Sequence, residues 1–270
     1  MAMDAQPLLV CEEVSRHFGS LAAVDGVSLQ VMPGEVLGIG GPNGAGKTTF
    51  FDVVTGITAP SGGRITFDGH DVTSWGADRI CHAGVARTFQ LNAAFDHLTV
   101  LENVQVAAQF GRAARKFPGL RLGAETRAAV EEALEFVGLS AKRHMVAGDL
   151  PVLDRKLLMI AGAMATKPRM IFLDEPVGGL NTEEIDHIQD LVRNMQGQGI
   201  TIVLIEHVMR FLLSLSTRVI IMHHGQVIFE GRPDQVAEDE TVVETYLGAG
   251  TAGRLKSHFS EAGAEEAADA

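Results

Sequence analysis

The sequence predicts an α/β fold: a core built on a parallel sheet, a small antiparallel β subdomain and an inserted helical subdomain. Three observations predict it. The apolar runs "VLGIG" (36–40), "MIFL" (170–173) and "ITIVLI" (200–205) have strand length and no alternation, as expected for parallel strands covered on both faces. Each run opens into polar or glycine-rich residues, and in open α/β sheets ligands sit just beyond the carboxyl ends of the strands. Helical periodicity fills much of the chain between the runs.

Taken in order, the first 35 residues and 64–72 read as short strands of the antiparallel sheet. Glycine and proline at 33–34, 60–63 and 118–119 mark turns. Residues 91–165 read as mostly helical, with one helix at 124–137 and another at 154–165 that places Leu157, Ile160, Ala161 and Met164 on one face. Over 182–196 the apolar face is Ile185, Ile188, Val192 and Met195, and Asn181 with Glu184 forms an N-cap with its reciprocal acid. His223 and His224 precede Gly225 in a hairpin turn. Residues 249–270 are rich in Ala and Glu with few apolar anchors, the composition of a disordered acidic tail. The basic stretch 110–127 reads as a solvated loop.

Composition narrows the function. With 46% hydrophobic residues in 270, the chain can bury a sizeable core. A net charge of −12 argues against a general nucleic-acid binder, which needs clustered Lys and Arg. Cys11 and Cys81 have no partner at metal spacing and read as reduced thiols. The first residues lack the basic start of a signal peptide, and no apolar run reaches the ~18–20 residues that span a bilayer. Any membrane role is expected to pass through a partner.

The most specific motif is "GPNGAGKT" at 41–48, which fits G-x-x-x-x-G-K-[ST] and makes this core a P-loop ATPase core. Gly41, Gly44 and Gly46 let the loop turn its N–H groups toward phosphate oxygens. Pro42, Asn43, Ala45 and Thr49 complete the expected nucleotide-binding stretch. Lys47 supplies charge to the terminal phosphates, the Thr48 hydroxyl suits Mg²⁺, and the helix opening near Gly46 adds its dipole. Asp174 ends the second apolar run and suits a metal contact, while Glu175 can orient the attacking water. His207, after Glu206 at the end of the third run, can donate to a γ-phosphate. The Gln90 amide can reach Mg²⁺ or the water.

The set "GPNGAGKTT", "ARTFQ", "FLDEP" and "IEH", in that order, resembles the nucleotide-binding subunit of ABC transporters over about residues 8–248. The stretches "VARTFQLNAAFDHLTVLENV", "LIEHVMRFLLSLSTRVIIMHHGQVIFEGRPDQV" and "VVETYLG" resemble the subfamily serving branched-chain and other hydrophobic amino acids. The resemblance implies an ATP-hydrolysing subunit, peripheral on the cytoplasmic face of the inner membrane. Two permease subunits, a second ATPase subunit and, indirectly, a periplasmic solute-binding protein would be its partners. It places Phe18 on the adenine, Val24 among the nucleotide contacts, Gln90 in the loop facing the permease, Val177–Asn181 against the partner ATPase, and His207 as the switch histidine.

One stretch departs from the family. The signature usually reads Leu-Ser-Gly-Gly-Gln, or Leu-Ser-Tyr-Gly in this subfamily. Counting back from Asp174 sets Leu150 on its Leu, Pro151 on its Ser, Val152 on the variable position and Leu153 on its Gly, with Asp154 next. Proline has no N–H or hydroxyl to give a phosphate, and leucine fills with apolar carbon the space a glycine leaves open. Residues 150–153 also suit a plain helix start, with Pro151 in the first turn and Leu153 buried, and both readings can hold. The expectation is an asymmetric heterodimer whose other subunit has an intact signature. The alternatives are a regulatory subunit with little hydrolysis, or an importer ATPase for another solute.

Overall fold

The structure is a computed structural model and describes residues 6–89, 94–111 and 123–247. Six strands form the main sheet: β3 (Val36–Gly40), β6 (Val85–Arg87), β7 (Met170–Asp174), β8 (Thr201–Ile205), β9 (Arg218–His223) and β10 (Gln226–Gly231), in the order β10-β9-β3-β8-β7-β6. All pairs are parallel except the edge hairpin β9–β10. The three apolar runs are therefore central neighbours, as expected.

Why they lack alternation is now visible. Successive residues do point to opposite faces, but both faces are covered. Met170, Phe172, Val203, Ile205, Ile220 and Met222 pack into one apolar cluster; Ile171, Leu173, Ile202, Leu204, Val219 and Ile221 pack into another. The first cluster is closed by a second sheet, of order β2-β1-β4-β5, from β1 (Leu9–Phe18), β2 (Leu21–Val31), β4 (Gly62–Phe67) and β5 (His70–Asp71). It is antiparallel, as expected. Its first two strands are not short, at 10 and 11 residues. Gly62 and Gly63, read as part of a turn, instead begin β4.

Helix α1 (Lys47–Val54) follows β3 and buries Phe50 and Phe51 in the same cluster, with the Phe51 ring edge-on to Phe172 at 4.9 Å. Burying each such side chain is worth roughly 1.5–3 kcal/mol, which fixes the phosphate loop to the sheet. Short helix α2 (Ala77–His82) leads into β6. Trp75 lies under the Arg79 guanidinium at 3.7 Å.

The other face is covered by helices α3 (Val100–Phe110), α4 (Ala124–Phe136), α5 (Val152–Ala165), α6 (Thr182–Gly197) and α7 (Met209–Leu215). In α6 the Asn181 and Glu184 side chains each accept from the other's backbone N–H, the capping box read from the sequence. Ile188, Val192 and Met195 are fully buried and Ile185 is half-buried. Helix α5 begins two residues earlier than its periodicity indicated. Pro151 is its N-cap, one residue before the first turn, and Leu153 is half-buried. The proposed tail and most of the basic stretch lie outside the described residues.

Candidate functional site

Parallel pairing sets the strand tips level. Ile205 ends β8 and is in register with both Ile39 of β3 and Asp174 of β7. The residues that follow, Gly41–Thr48, Glu175 and Glu206–His207, therefore emerge along one edge. They border a cleft of about 610 Å³ lined by Phe18, Leu21, Ala22, Ala23, the loop from Asn43 to Thr49, Glu175, His207 and His224.

The phosphate loop is held by contacts that only glycine permits. Gly41 has φ 141° and Gly46 φ 98°. A Cβ on Gly41 would lie 2.2 Å from the Met222 carbonyl oxygen, and one on Gly46 would lie 2.1 Å from that of Ala23. The Ala23 carbonyl reaches the loop because β2 is bulged there: Arg16 pairs with Val24 and His17 with Ala22, leaving Ala23 as the extra residue. The same bulge explains a correction. Val24, expected among the nucleotide contacts, is fully buried in the core behind the cleft, and Leu21, Ala22 and Ala23 form the wall instead. Phe18, at the end of β1, is half exposed at the cleft mouth.

The Lys47 Nζ donates to the carbonyls of Gly41 (2.7 Å) and Pro42 (2.9 Å). Burial lowers its pKa, and the nearby Glu175 and Asp174 carboxylates oppose that shift. These two bonds use two of the three N–H donors of the ammonium, and a doubly anionic phosphate makes a strong acceptor for it. Replacing Lys47 with Met should leave the melting temperature nearly unchanged and weaken ATP binding by at least about tenfold, since a charged hydrogen bond is worth ~1.5–3 kcal/mol. Equilibrium binding of a fluorescent ATP analogue measures it.

Asp174 is buried, and burial raises its pKa against the lowering effect of Arg87. Arg87 donates to Asp174 Oδ2 at 3.0 Å and to Asp52 Oδ1 at 2.6 Å, tying β6 to both β7 and α1. Asp174 Oδ1 has no hydrogen-bond partner among the described residues. A buried carboxylate oxygen left without a donor, with a hydroxyl offered by exposed Thr48, is the all-oxygen donor set that suits a hard divalent cation. Gln90, the third expected metal contact, lies outside the described residues.

Glu175 follows with φ 50°, a left-handed conformation that costs a residue with a Cβ about 1–2 kcal/mol. Its carboxylate Oε1 lies 2.9 Å from His207 Nε2, and both side chains are about one-third exposed, open to the cleft. Glu206 sits underneath, 1% exposed, and accepts from the N–H groups of Val177 (2.9 Å), His207 (2.8 Å) and Val208 (3.1 Å). It fixes the main chain on both sides of the Glu175–His207 pair. Arg87, Glu206 and Lys156, whose Nζ donates to the Glu175 carbonyl at 2.8 Å, were not singled out from the sequence. The only signal for Arg87 was its place in "ARTFQ", three residues before Gln90.

The altered stretch opens α5. Leu150 is buried in the core, while Pro151 and Val152 are exposed. Pro151 offers no side-chain cap to the helix. Asp154 is 5% exposed and paired with Lys142, and Arg155 pairs with Asp96 at 2.6 Å.

A glycine-lined phosphate loop after β3, a buried acid at the end of β7, one strand removed across β8, and a Glu–His pair at the tips of β7 and β8 define a P-loop nucleotide hydrolase. Among these, the chain belongs to the ABC transporter family: the model described as "ABC transporter" matches residues 24–178. A second, described as "Branched-chain amino acid ATP-binding cassette transporter", matches residues 226–252. Relatives include the high-affinity branched-chain amino acid transport ATP-binding protein BraF of Pseudomonas aeruginosa, 34% identical over 252 residues covering 90% of this chain and 99% of that one. LivG of Escherichia coli, of the same description, is 35% identical over the same shares. Among solved structures, a nucleotide-free ATP-binding cassette from an ABC transporter superposes with a TM-score of 0.82 at 33% identity, covering 90% of this chain and 100% of that one. The ADP conformation of the cassette MJ1267 gives 0.81 at 33% identity, covering 90% and 99%. Among the described residues no helix is long and apolar enough to cross a membrane.

Proposed function

We propose that this chain hydrolyses ATP to drive an importer for branched-chain or other hydrophobic amino acids, or related small amides. It would sit on the cytoplasmic face of the inner membrane against two permease subunits supplied by a periplasmic binding protein. The observation that carries this reading is the convergence of Phe18, the phosphate loop and the Glu175–His207 pair on one cleft. Phe18 offers its ring to the adenine. The N–H groups of 43–49 and the Lys47 ammonium hold the phosphates. Thr48 and Asp174 would hold Mg²⁺, which neutralises phosphate charge and helps orient the reacting phosphoryl group. Glu175 orients the attacking water, and His207, set 2.9 Å from the Glu175 carboxylate, turns its N–H to the terminal phosphate. ATP-driven uptake of leucine, isoleucine and valine into vesicles holding the assembled transporter tests the solute. Uptake of polar solutes alone would reject it.

The permease surface we assign is a groove of about 290 Å³ bordered by Cys81, Phe95, Val106, Phe110, Leu158 and Met159. Phe95 and Phe110 are 55% and 64% exposed, apolar area that a partner would cover. Arg87 also lines it, and the Arg87–Asp174 bond gives the groove a direct mechanical link to the nucleotide site. The two thiols provide a check. Cys11 is buried and its pKa is pushed up to about 12, so it should resist alkylation; half-buried Cys81, raised by burial and Asp78, should react slowly in the isolated chain. In the assembled transporter its alkylation should slow at least about fivefold if a partner removes the thiol from solvent. Mass spectrometry of the labelled peptides reads this out, and unchanged labelling would place the permease elsewhere.

Pro151 and Leu153 favour a refinement: an asymmetric heterodimer. ATP in this chain's cleft meets an intact signature from a second ATPase subunit, while ATP in that subunit's cleft meets Leu150–Asp154 and is mainly held. The alternative, a regulatory chain with little hydrolysis, draws on the same two residues but leaves the paired Glu175 and His207 without a task.

A further inference from the structure

We infer that Lys156 is a positioning residue for the hydrolysis step, holding the main chain of Glu175 so that its carboxylate faces His207. The inference rests on the reading of Glu175 as the group that orients water.

The left-handed backbone at Glu175 is strained for a residue with a Cβ and needs support from its surroundings. Three contacts supply that support. The Glu175 N–H donates to the Ile205 carbonyl at 3.0 Å, which sets the residue against β8. Its carbonyl accepts from the Gly178 N–H at 3.4 Å, a long bond, and from the Lys156 Nζ at 2.8 Å, a short one. Of the groups on that carbonyl, the ammonium is therefore the stronger clamp. It approaches from α5, which also sets Met159 and Ile160 beside Asp174 and Glu175.

Lys156 is suited to this by its surroundings. It is half-buried, lining a small crevice with Thr88, Phe89, Asp174 and Pro176. Its amine lies against Gly178: a Cβ there would approach Nζ to 4.0 Å. Burial lowers its pKa, and the carboxylates of Glu206 and Glu175 counter the shift, so the charge has partners in place. Glu206 meanwhile holds Val177 and His207 from below. One cation and one anion thus fix the peptides around the Glu175–His207 pair. The first turn of α5 is itself tied outward by Lys142–Asp154 and Asp96–Arg155. A shift of the helix would therefore reach the Glu175 carbonyl directly through the Lys156 hydrogen bond.

The test compares Lys156→Met and Lys156→Arg, with nucleotide affinity measured on the full chain and turnover on the assembled transporter. Lys156→Met should lower kcat roughly 10- to 100-fold, the usual cost of misplacing a reacting group by about 1 Å, with ATP-analogue affinity and melting temperature little changed. Lys156→Arg, which keeps the charge and a donor, should recover most of the loss. If the Met variant fails to fold, Lys156→Gln is judged by the same readouts. A kcat within about twofold of wild type would overturn the inference, as would parallel loss of affinity, melting temperature and kcat. Glu175→Gln is the control: turnover that survives it would instead remove the role given to Glu175.

Discussion

Replacing Glu175 with Gln should abolish transport while leaving ATP bound. Glutamine keeps the volume and an oxygen to face His207 Nε2, so the pair seen at 2.9 Å retains its geometry. What disappears is one negative charge at the cleft. Carboxylates that polarise or accept protons from an attacking water typically contribute 10²–10⁴-fold, so turnover should fall by about that factor. Affinity should move the other way or not at all. Glu175 is one of two carboxylates acting on Lys47, and its charge repels any phosphate the lysine attracts. Removing it leaves a more positive phosphate site. Turnover and equilibrium binding therefore separate the readings: low kcat with equal or tighter binding supports hydrolysis at this cleft, whereas unchanged transport supports the regulatory alternative.

How far the sequence anticipated this arrangement differs residue by residue, for physical reasons. The central strands were legible because burial on both faces leaves an unbroken apolar run, and the helix from Thr182 because its cap and stripe are local signals. The phosphate loop was legible because close backbone approach demands glycine at fixed spacing. Val24 was placed by resemblance alone, and the bulge at Ala23, which sets Ala23 on the wall and Val24 in the core, belongs to the pairing of β1 with β2. No local pattern announces such a bulge. Arg87, Lys156 and Glu206 were given no role because each acts on a main chain or carboxylate distant in sequence: 87 residues for Arg87–Asp174, 19 for Lys156–Glu175 and 29 for Glu206–Val177. A lone charged residue in a sequence is usually solvated, and only the fold shows which ones are not.

Restoring a donor at the head of α5 should raise hydrolysis by the isolated chain, which on the present reading binds ATP but turns it over slowly. Pro151 is the N-cap residue, exposed and making no side-chain cap. Serine is among the best residues for that position and proline has no hydroxyl, so Pro151→Ser should fold as well as the parent or gain up to ~1 kcal/mol of stability. It also returns an N–H and a hydroxyl to the place where a partner subunit's phosphate would arrive. The two missing donors, at ~1.5–3 kcal/mol each when they meet a charged acceptor, correspond to 3–6 kcal/mol. Since 1.36 kcal/mol is tenfold in rate, recovering half of that would raise homodimer turnover by roughly 10–100-fold. Leu153 limits the gain, because it is half-buried against the core and offers apolar carbon where a glycine would leave the backbone open. Leu153→Gly would open the backbone at the cost of helix propensity and apolar contact, so the serine variant is the cleaner measurement. ATP turnover as a function of chain concentration, with and without Pro151→Ser, decides the matter. Robust cooperative hydrolysis by the unaltered chain alone would mean that Leu150–Asp154 still serves a phosphate and that no second kind of subunit is required.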